Sequence, residues 1–435
     1  MYFSTMSESS TTGHAPAVVS EMADRLIGSE IIKLAAQVNQ RIASGEKIFN
    51  FTIGDFNPSV FPIPAVLEDG IVQAYRDKQT NYPAANGIEP LRKSVVHFLN
   101  RGLGWNYDAE EVLISGGGRP LIYAAYLTLL DPGDTVIYPV PSWNNNHYTH
   151  LSRARAIELP TTAEEHFMPT AEQIRPHIRE ATLLALCSPL NPSGTTFSKQ
   201  ALIDICDMVV AENQRRGSSQ KPLYMLYDQL YWTLTYGETE HYDPVSVCPA
   251  MRDYVIYIDG LSKAFAATGV RVGWSVGPAN IMAKMRSILS HVGAWSPKPE
   301  QVAAAQFLKN DAAVDAYLDD FRTALHDRLA GFYKHFQYLN ASGFPVECIA
   351  PQAAIYLTVK IDLRGARKQD GTVIQSVEDI TAFLLNEASL ALVPFYAFGT
   401  ARDIPWYRLS VGTCTMEDVD ASMEKLSAAL KTLVF

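Results

Sequence analysis

The strongest constraint on the fold of this chain is the regular alternation of short apolar runs with segments of helical periodicity. Each run has the length of a buried strand, and apolar residues at helical spacing occupy the stretches between runs. This alternation predicts an α/β fold, in which helices cover both faces of a mostly parallel sheet. Ligands of such sheets bind at the carboxyl ends of the strands. The clearest runs are Thr135–Val140, Leu183–Cys187, Leu223–Tyr227, Tyr254–Ile258 and Val272–Val276.

The pattern changes along the chain and predicts three parts. Residues 1–53 are predicted to form a loose arm, over residues 1–20, and one amphipathic helix from Val19 to Gly45. Residues 54–320 form a large domain that contains the predicted sheet. Residues 321–435 mix helical and strand patterns, which predicts a smaller α+β domain. No internal repeat is visible in the sequence.

Charge and cysteine content argue against several classes of protein. The chain has 36 Lys and Arg residues against 46 Asp and Glu residues, a net charge of −10, and no basic run that would bind nucleic acid. Its 5 cysteines are scattered, so neither a disulfide framework nor a metal site is predicted. No apolar run approaches the roughly 20 residues that cross a membrane, and the Ser- and Thr-rich start does not resemble a secretory signal. A cytoplasmic protein without a membrane partner is the expectation.

A lysine follows one of the buried runs directly. Ser262 and Lys263 come after the break at Asp259-Gly260, and an ammonium at such a position needs a partner or must lose its charge. One way to lose the charge is a Schiff base with the aldehyde of pyridoxal phosphate (PLP). Arg271 follows between two glycines, where a phosphate can approach. Taken alone, the stretch also fits a strand, a turn and a solvated Lys/Arg pair.

Other polar residues lie at or near the predicted carboxyl ends of strands. Asn191 precedes a proline and is therefore held extended, so that its amide can point into a site. Asp228 ends the next run and needs a cationic partner, which a pyridinium N–H would supply. Tyr231 follows three residues later and could donate to a ring oxygen. The glycines at 116–118 precede a helix, whose first N–H groups predict an anion site.

The ordered set of these motifs resembles the class I/II aminotransferases of PLP fold type I, the aspartate aminotransferase-like enzymes. The similarity runs from Gly54 to Arg408, and the order of the motifs is specific although each motif alone is weak. The resemblance implies a large domain with a seven-stranded, mostly parallel sheet between helices, and an N-terminal segment that packs on the small domain. The motifs are Asn191-Pro-Ser-Gly, Asp228-x-x-Tyr231, Ser262-Lys263-x7-Arg271-x-Gly273 and Tyr407-Arg-Leu-Ser410.

The resemblance also implies pyridoxal 5'-phosphate as the cofactor and assigns residues to it. Lys263 would form the Schiff base and then move the proton at the substrate Cα. Asp228 would pair with the ring nitrogen, whereas Asn191 and Tyr231 would hydrogen-bond the ring oxygen. Trp143 would stack on the ring. Arg271 and the N–H groups of Gly117, Gly118 and Arg119 would hold the phosphate, and Ser262 is a further implied cofactor-binding residue.

Substrate and partner follow from the same resemblance. Arg408 would bind the substrate α-carboxylate through its planar fork, with Gly54 and Asn191 beside it. Tyr82 would reach the phosphate of the neighbouring subunit, which implies a homodimer with shared sites. The implied substrates are an L-amino acid and a 2-oxo acid.

Several departures leave the specificity open. Arg119 stands where many relatives have a hydroxyl residue or lysine, so it could also face the substrate. No arginine near Trp295 matches the one that binds the side-chain carboxylate in an aspartate-specific branch. The alternative is an aromatic or aliphatic pocket, lined by Trp143, Tyr82, Ile355 and Tyr356.

Structural roles also remain open for single residues. Trp143 could be a core aromatic, Tyr82 a surface residue and Arg408 an ion-pair residue. His147 could support Asp228 or be structural. For the whole chain, the prediction is a PLP-dependent aminotransferase. The alternatives are a PLP lyase or cyclase of the 1-aminocyclopropane-1-carboxylate synthase type, and a ligand-sensing domain without catalysis.

Overall fold

The computed structural model describes residues 19–26, 28 and 30–435, so most of the predicted arm at residues 1–20 lies outside the described residues. Three short 3-10 helices span Ala109–Glu111, Pro249–Asp253 and Phe395–Phe398. The strands are β1 (Phe49–Asn50), β2 (Val112–Ser115), β3 (Thr135–Val140), β4 (Arg155–Pro160), β5 (Ala181–Cys187), β6 (Tyr224–Asp228), β7 (Val255–Gly260), β8 (Gly273–Val276), β9 (Val346–Cys348), β10 (Tyr356–Ile361), β11 (Leu390–Ala391), β12 (Val393–Pro394) and β13 (Trp406–Ser410). The α-helices are α1 (Glu21–Asp24), α2 (Glu30–Ala43), α3 (Ala65–Arg76), α4 (Glu89–Leu103), α5 (Gly118–Leu129), α6 (Asn145–Leu151), α7 (Ala171–Ile174), α8 (Lys199–Arg216), α9 (Pro244–Val247), α10 (Leu261–Ala264), α11 (Ala279–Val292), α12 (Lys298–Phe307), α13 (Asp311–Ala341), α14 (Val377–Glu387) and α15 (Met416–Leu430).

The largest sheet has 7 strands in the order β2-β8-β7-β6-β5-β3-β4. The neighbours β7-β6, β6-β5, β5-β3 and β3-β4 are parallel, whereas β8 is antiparallel to both β2 and β7. The predicted α/β class and the mostly parallel sheet are therefore confirmed.

Alternate residues of the central strands enter different hydrophobic cores. In β5, Leu184 and Leu186 belong to one buried cluster, and Leu183 and Ala185 belong to another. Because successive side chains of a strand point to opposite faces, both faces of the sheet are covered. This double coverage explains why the central strands are continuous apolar runs.

A second unit is built around a sheet of 4 antiparallel strands in the order β12-β13-β10-β9. The N-terminal segment joins this side of the molecule, because β1 pairs in parallel with β11. The long helix α13 is divided between cores: Val314 and Leu318 pack in the core of the large sheet, and Phe321 to Leu339 pack in that of the second unit. The domain bounds 1–53, 54–320 and 321–435 stay a prediction, which this division near residue 320 supports.

Two local expectations differ from the structure. The single helix predicted from Val19 to Gly45 is two helices, α1 and α2, with Gly28 between them; glycine is a poor helix residue because of its backbone freedom. Strand β4 was not among the predicted apolar runs. It is mostly exposed at the edge of the large sheet, so it lacks an apolar run.

Over the described ranges, every helix is too short or too polar to cross a membrane.

Candidate active site

A cavity of about 570 Å³ opens at the carboxyl ends of the central strands. Cys187 and Asp228 pair at the ends of β5 and β6, and β7 ends at Gly260, just before the helical turn that contains Lys263. Parallel strands bring these chain segments together because they end at the same edge of the sheet. The predicted site residues that line the cavity are Gly54, Gly118, Arg119, Trp143, Asn191, Asp228, Tyr231, Ser262, Lys263, Arg271 and Arg408.

The amine of Lys263 is held inside the cavity with a weakened affinity for its proton. Its Nζ donates to the backbone oxygen of Gly54 at 2.6 Å. Burial lowers the pKa of Lys263 to about 8; the carboxylate of Asp55 opposes this shift, and nearby arginines reinforce it. About a tenth of the amine is therefore neutral and nucleophilic at pH 7, far more than for an exposed lysine.

The carboxyl group of Asp228 faces the same cavity and forms no ion pair with a described residue. Burial raises the pKa of Asp228 to about 6. The hydrogen bond from the Leu230 N–H and the charge of Lys263 both lower this pKa, but their effects are smaller than that of burial. The Leu230 N–H donates to Oδ1 at 3.1 Å. No Lys, Arg or His in the described part of the chain forms an ion pair with Asp228. A cationic N–H that entered the cavity would supply the missing partner.

An anion cradle lies at the start of α5. The helix begins at Gly118 after Gly117, whose φ of 96° is in the left-handed region, and no side chain caps it. Arg271 donates to the backbone oxygens of Thr268 at 2.8 Å and Gly116 at 2.7 Å. A Cβ at Gly117 would overlap the guanidinium of Arg271, so this position requires glycine. The unpaired N–H groups of the helix and the arginine form a site for a phosphate.

Arg408 lies on β13, is only 2% exposed, and has no carboxylate partner within the described residues. Its Nη1 donates to Asn191 Oδ1 at 3.0 Å and its Nη2 donates to the Thr52 oxygen at 2.7 Å. Its Nε is buried without a hydrogen bond. Burial lowers the pKa of Arg408. The ion-pair alternative for Arg408 therefore has no support within the described residues, and each Nη retains one N–H for a ligand.

Aromatic residues complete the walls. The guanidinium of Arg119 lies 4.8 Å from the ring centre of Trp143, and both residues line the cavity. The hydroxyls of Tyr231 and Tyr356 are 2.6 Å apart. A Cβ at Gly54 would come within 2.8 Å of the Tyr356 hydroxyl, so the absence of a side chain at 54 keeps this wall in place.

Some residues singled out from the sequence lie outside the cavity lining. Gly117 lies under Arg271 rather than at the surface of the cavity. Tyr82 is 81% exposed and packs edge-on against Trp295, with ring centres 5.1 Å apart. Ile355 is buried in the core of the second unit. His147 on α6 does not line the cavity, and no hydrogen bond joins it to Asp228 among the described residues.

The cavity also contains residues that lie outside the sequence motifs. Asp55 accepts a hydrogen bond from Thr268 Oγ1 at 2.6 Å. Asn145 donates to Ser142 Oγ at 2.7 Å and accepts from the Tyr126 hydroxyl at 2.9 Å. Their only sequence signal is that they are neighbours of selected residues: Asp55 follows Gly54, and Thr268 lies between Lys263 and Arg271. In the described ranges, no group of three His, Cys, Asp or Glu side chains could bind a metal ion.

Known proteins are similar to this chain along most of its length. A family model described as aminotransferase class I and II matches residues 46–426. An aspartate aminotransferase of Streptomyces avermitilis is 29% identical over 382 residues, which cover 86% of this chain and 87% of that protein. A bifunctional aspartate aminotransferase and glutamate/aspartate-prephenate aminotransferase of Petunia hybrida is 28% identical over 408 residues, or 93% of this chain and 81% of the relative.

Solved structures share the fold. The aspartate aminotransferase from Rhizobium meliloti has a TM-score of 0.85 at 24% identity, and the match covers 97% of this chain and 100% of that chain. The aspartate aminotransferase from Thermus thermophilus with maleate has a TM-score of 0.83 at 24% identity, covering 95% of this chain and 100% of that chain. The fold is therefore PLP fold type I.

The unpaired carboxylate predicts how Asp228→Asn changes stability in protein freed of small-molecule ligands. Because the folded pKa is raised from 3.8 to about 6, ionisation destabilises the fold progressively above about pH 4 and fully above about pH 6. We expect Asp228→Asn to raise the thermal unfolding midpoint at pH 8, where the effect is roughly 3 kcal/mol, and to raise it less at pH 5. The exposed Asp69→Asn is the control. A lower midpoint for Asp228→Asn at pH 8 would contradict the prediction.

Proposed function

This chain belongs to the class I and II aminotransferase family, and we propose that it uses pyridoxal phosphate to move an amino group between an L-amino acid and a 2-oxo acid. One observation carries the proposal: the partly neutral amine of Lys263 and the unpaired carboxyl of Asp228 face one cavity. An aldehyde and a ring cation are the groups that such a pair accommodates. The names of the relatives favour an aminotransferase over the lyase and ligand-sensing alternatives.

The residues of the cavity fit the cofactor. Arg271, Ser262 and the N–H groups at the start of α5 would hold its phosphate, and Asp228 would hold its ring nitrogen. Asn191 and Tyr231 would hydrogen-bond the ring oxygen, and Trp143 would stack on the ring. When bound, the cofactor supplies a protonated ring that delocalises the electrons left when the substrate Cα loses its proton.

Lys263 has two tasks in this proposal. Its amine would hold the cofactor aldehyde until the amino group of the substrate displaces it, and the freed Nζ would then take the proton from the substrate Cα. Burial and the neighbouring arginines keep the pKa of Lys263 at about 8, which suits a base that must both accept and release a proton. A positioned general base of this kind contributes roughly 10²- to 10⁴-fold to the rate.

Arg408 would bind the substrate α-carboxylate. Asn191 and Thr52 each use one N–H of the guanidinium, and one N–H remains on each Nη. Since two parallel N–H groups match the two oxygens of a carboxylate, the orientation of the substrate is fixed as well as its position. Gly54 leaves space beside this fork, because its missing side chain would contact both Tyr356 and Arg408.

Arg119 supports a dicarboxylic amino acid as the substrate. It lines the cavity and packs on Trp143, and no carboxylate in the described residues lies within ion-pair distance of it. The cavity lining carries Arg119, Lys263, Arg271 and Arg408 against only Asp55 and Asp228, so it is complementary to anions. Relatives named for aspartate and prephenate transamination agree with this choice over an apolar pocket.

A homodimer with shared sites is part of the proposal. Tyr82 is 81% exposed and does not line the cavity of its own subunit, as expected of a residue that reaches a neighbour. Helix α3 also exposes Val72 and Tyr75, by 44% and 51%. Apolar side chains of this kind favour a protein interface.

A cytoplasmic location is also part of the proposal. The five cysteines, all without disulfides, support it.

Lys263→Ala tests the proposed attachment. After borohydride reduction, wild-type protein loaded with pyridoxal phosphate should retain the cofactor covalently on the peptide that contains residue 263, as measured by mass spectrometry. The rate at which wild-type protein binds pyridoxal phosphate covalently should increase as pH rises through about 8, because only the neutral amine reacts. Lys263→Ala should lose both capture and transamination, whereas the exposed Lys93→Ala should keep them. Retained covalent capture at another residue would overturn the assignment.

Arg119→Met tests the substrate class. Loss of a charge-assisted hydrogen bond should lower kcat/KM for L-aspartate roughly 10- to 100-fold. The value for L-phenylalanine should change much less, because that donor has no distal carboxylate. Stopped-flow absorbance with each donor and a 2-oxo acid acceptor measures both. An equal loss for the two donors would contradict the role of Arg119, and product release without an acceptor would indicate a lyase.

Tyr82→Ala tests the shared site. Wild-type protein should sediment as a dimer, and the variant should remain dimeric while its Kd for pyridoxal phosphate rises about tenfold, the loss expected for one hydrogen bond to a charged phosphate. Analytical ultracentrifugation and fluorescence titration measure the two properties. A monomer with full activity would contradict this part of the proposal.

A further inference from the structure

We infer that Tyr356 is a positioning residue that fixes Tyr231 through its hydroxyl and Arg408 through its ring. The inference rests on the proposed function, because it gives Tyr231 a role toward the cofactor and Arg408 a role toward the substrate. It concerns how this chain holds those two side chains in place. The support comes from contacts between residues of three separate chain segments.

The hydroxyl contact is short and enclosed. The oxygens of Tyr231 and Tyr356 are 2.6 Å apart, and the two residues are 3% and 2% exposed. Their rings meet edge-on with centres 5.5 Å apart. Among the described residues, each of the two hydroxyls has the other as its hydrogen-bond partner. Burial raises the pKa of both phenols, so both keep their protons.

The direction of this hydrogen bond decides what Tyr231 can do. A phenol has one proton to donate. If Tyr356 donates to Tyr231, the proton of Tyr231 stays free to point into the cavity, where a ring oxygen would accept it. Donation in this order also strengthens the second hydrogen bond, because hydrogen bonds in a chain polarise one another. Tyr356 would therefore set both the orientation and the donor strength of Tyr231.

The ring of Tyr356 contacts Arg408 at the same time. The guanidinium carbon of Arg408 lies 4.6 Å from the ring centre. The contact follows from the register of β10 and β13, in which Tyr356 pairs with Ser410 and Thr358 pairs with Arg408. Diagonal neighbours on one face of a sheet are within reach when both side chains are long. A cation over an aromatic face is attracted to it, more strongly when both are desolvated.

Two glycine positions pack closely against Tyr356. Gly194 has a φ of 72°, and a Cβ there would overlap the carbonyl oxygen of Tyr356. On the other side, a Cβ at Gly54 would lie 2.8 Å from the Tyr356 hydroxyl. Tyr356 is therefore held between the turn that follows Asn191 and the segment that contains Gly54.

A double-mutant cycle tests the hydroxyl. Apoprotein is prepared for wild type, Tyr231→Phe, Tyr356→Phe and the double variant, and the Kd for pyridoxal phosphate is measured by fluorescence titration. Tyr356→Phe should raise the Kd about 2- to 10-fold, the range for one buried hydrogen bond. In the Tyr231→Phe background it should have no further effect, because its hydroxyl acts through Tyr231. Independent, additive effects would overturn the inference.

A second comparison separates the ring from the hydroxyl. Tyr356→Phe keeps the ring under Arg408 and should leave the KM for the amino acid within about twofold of wild type, whereas Tyr356→Leu should raise that KM about tenfold. Tyr236→Phe is the matched control, because its buried hydroxyl donates to the Ala354 oxygen at 2.5 Å outside the cavity. An equal rise in cofactor Kd for Tyr236→Phe would show a general packing effect and overturn the inference. If wild-type apoprotein did not bind pyridoxal phosphate, the proposed function itself would fail.

Discussion

The site depends on two desolvated charges, Asp228 and Arg408, for which the described residues provide no ion-pair partner. Arg408 is buried and Asp228 is partly buried. An unpaired buried charge costs several kcal/mol, which the fold offsets through the hydrophobic cores on both faces of the large sheet. The consequence is functional, because each charge remains available to a group that enters the cavity. A ring cation beside Asp228 and a substrate carboxylate beside Arg408 would then replace the hydrogen bonds that water makes to these two side chains in the unfolded chain.

The cavity joins the two units of the fold. Asp228 ends β6 and Lys263 follows β7 of the large sheet, whereas Tyr356 and Arg408 lie in the four-stranded sheet. The hydrogen bonds from Arg408 to Asn191 and between the two tyrosines cross from one unit to the other. Groups proposed to contact the cofactor and groups proposed to contact the substrate are thus joined by hydrogen bonds between the two units. Such preorganisation lowers the cost of bringing reacting atoms together.

Much of the fold follows from the sequence because the central strands are buried on both faces. Strand β3 has the predicted bounds, and the other central strands begin and end within about two residues of the apolar runs. Strand β4 escapes prediction since its exposed side chains carry no apolar pattern. The break between α1 and α2 was also missed, because helical spacing continues across Gly28 although the helix does not. The motif residues were found by their order along the chain, and most of them line one cavity.

By itself, the sequence determined the residue types at the strand ends, and through their order it determined the family. The tertiary structure decided their chemical state. Burial and neighbouring charges set the pKa of Lys263 at about 8, which no local pattern specifies. Packing likewise decided that Arg408 has no carboxylate partner among the described residues and that Tyr231 meets Tyr356, 125 residues away in the chain. The physical reason is that desolvation and pairing depend on distances between segments, and those distances exist only once the chain has folded.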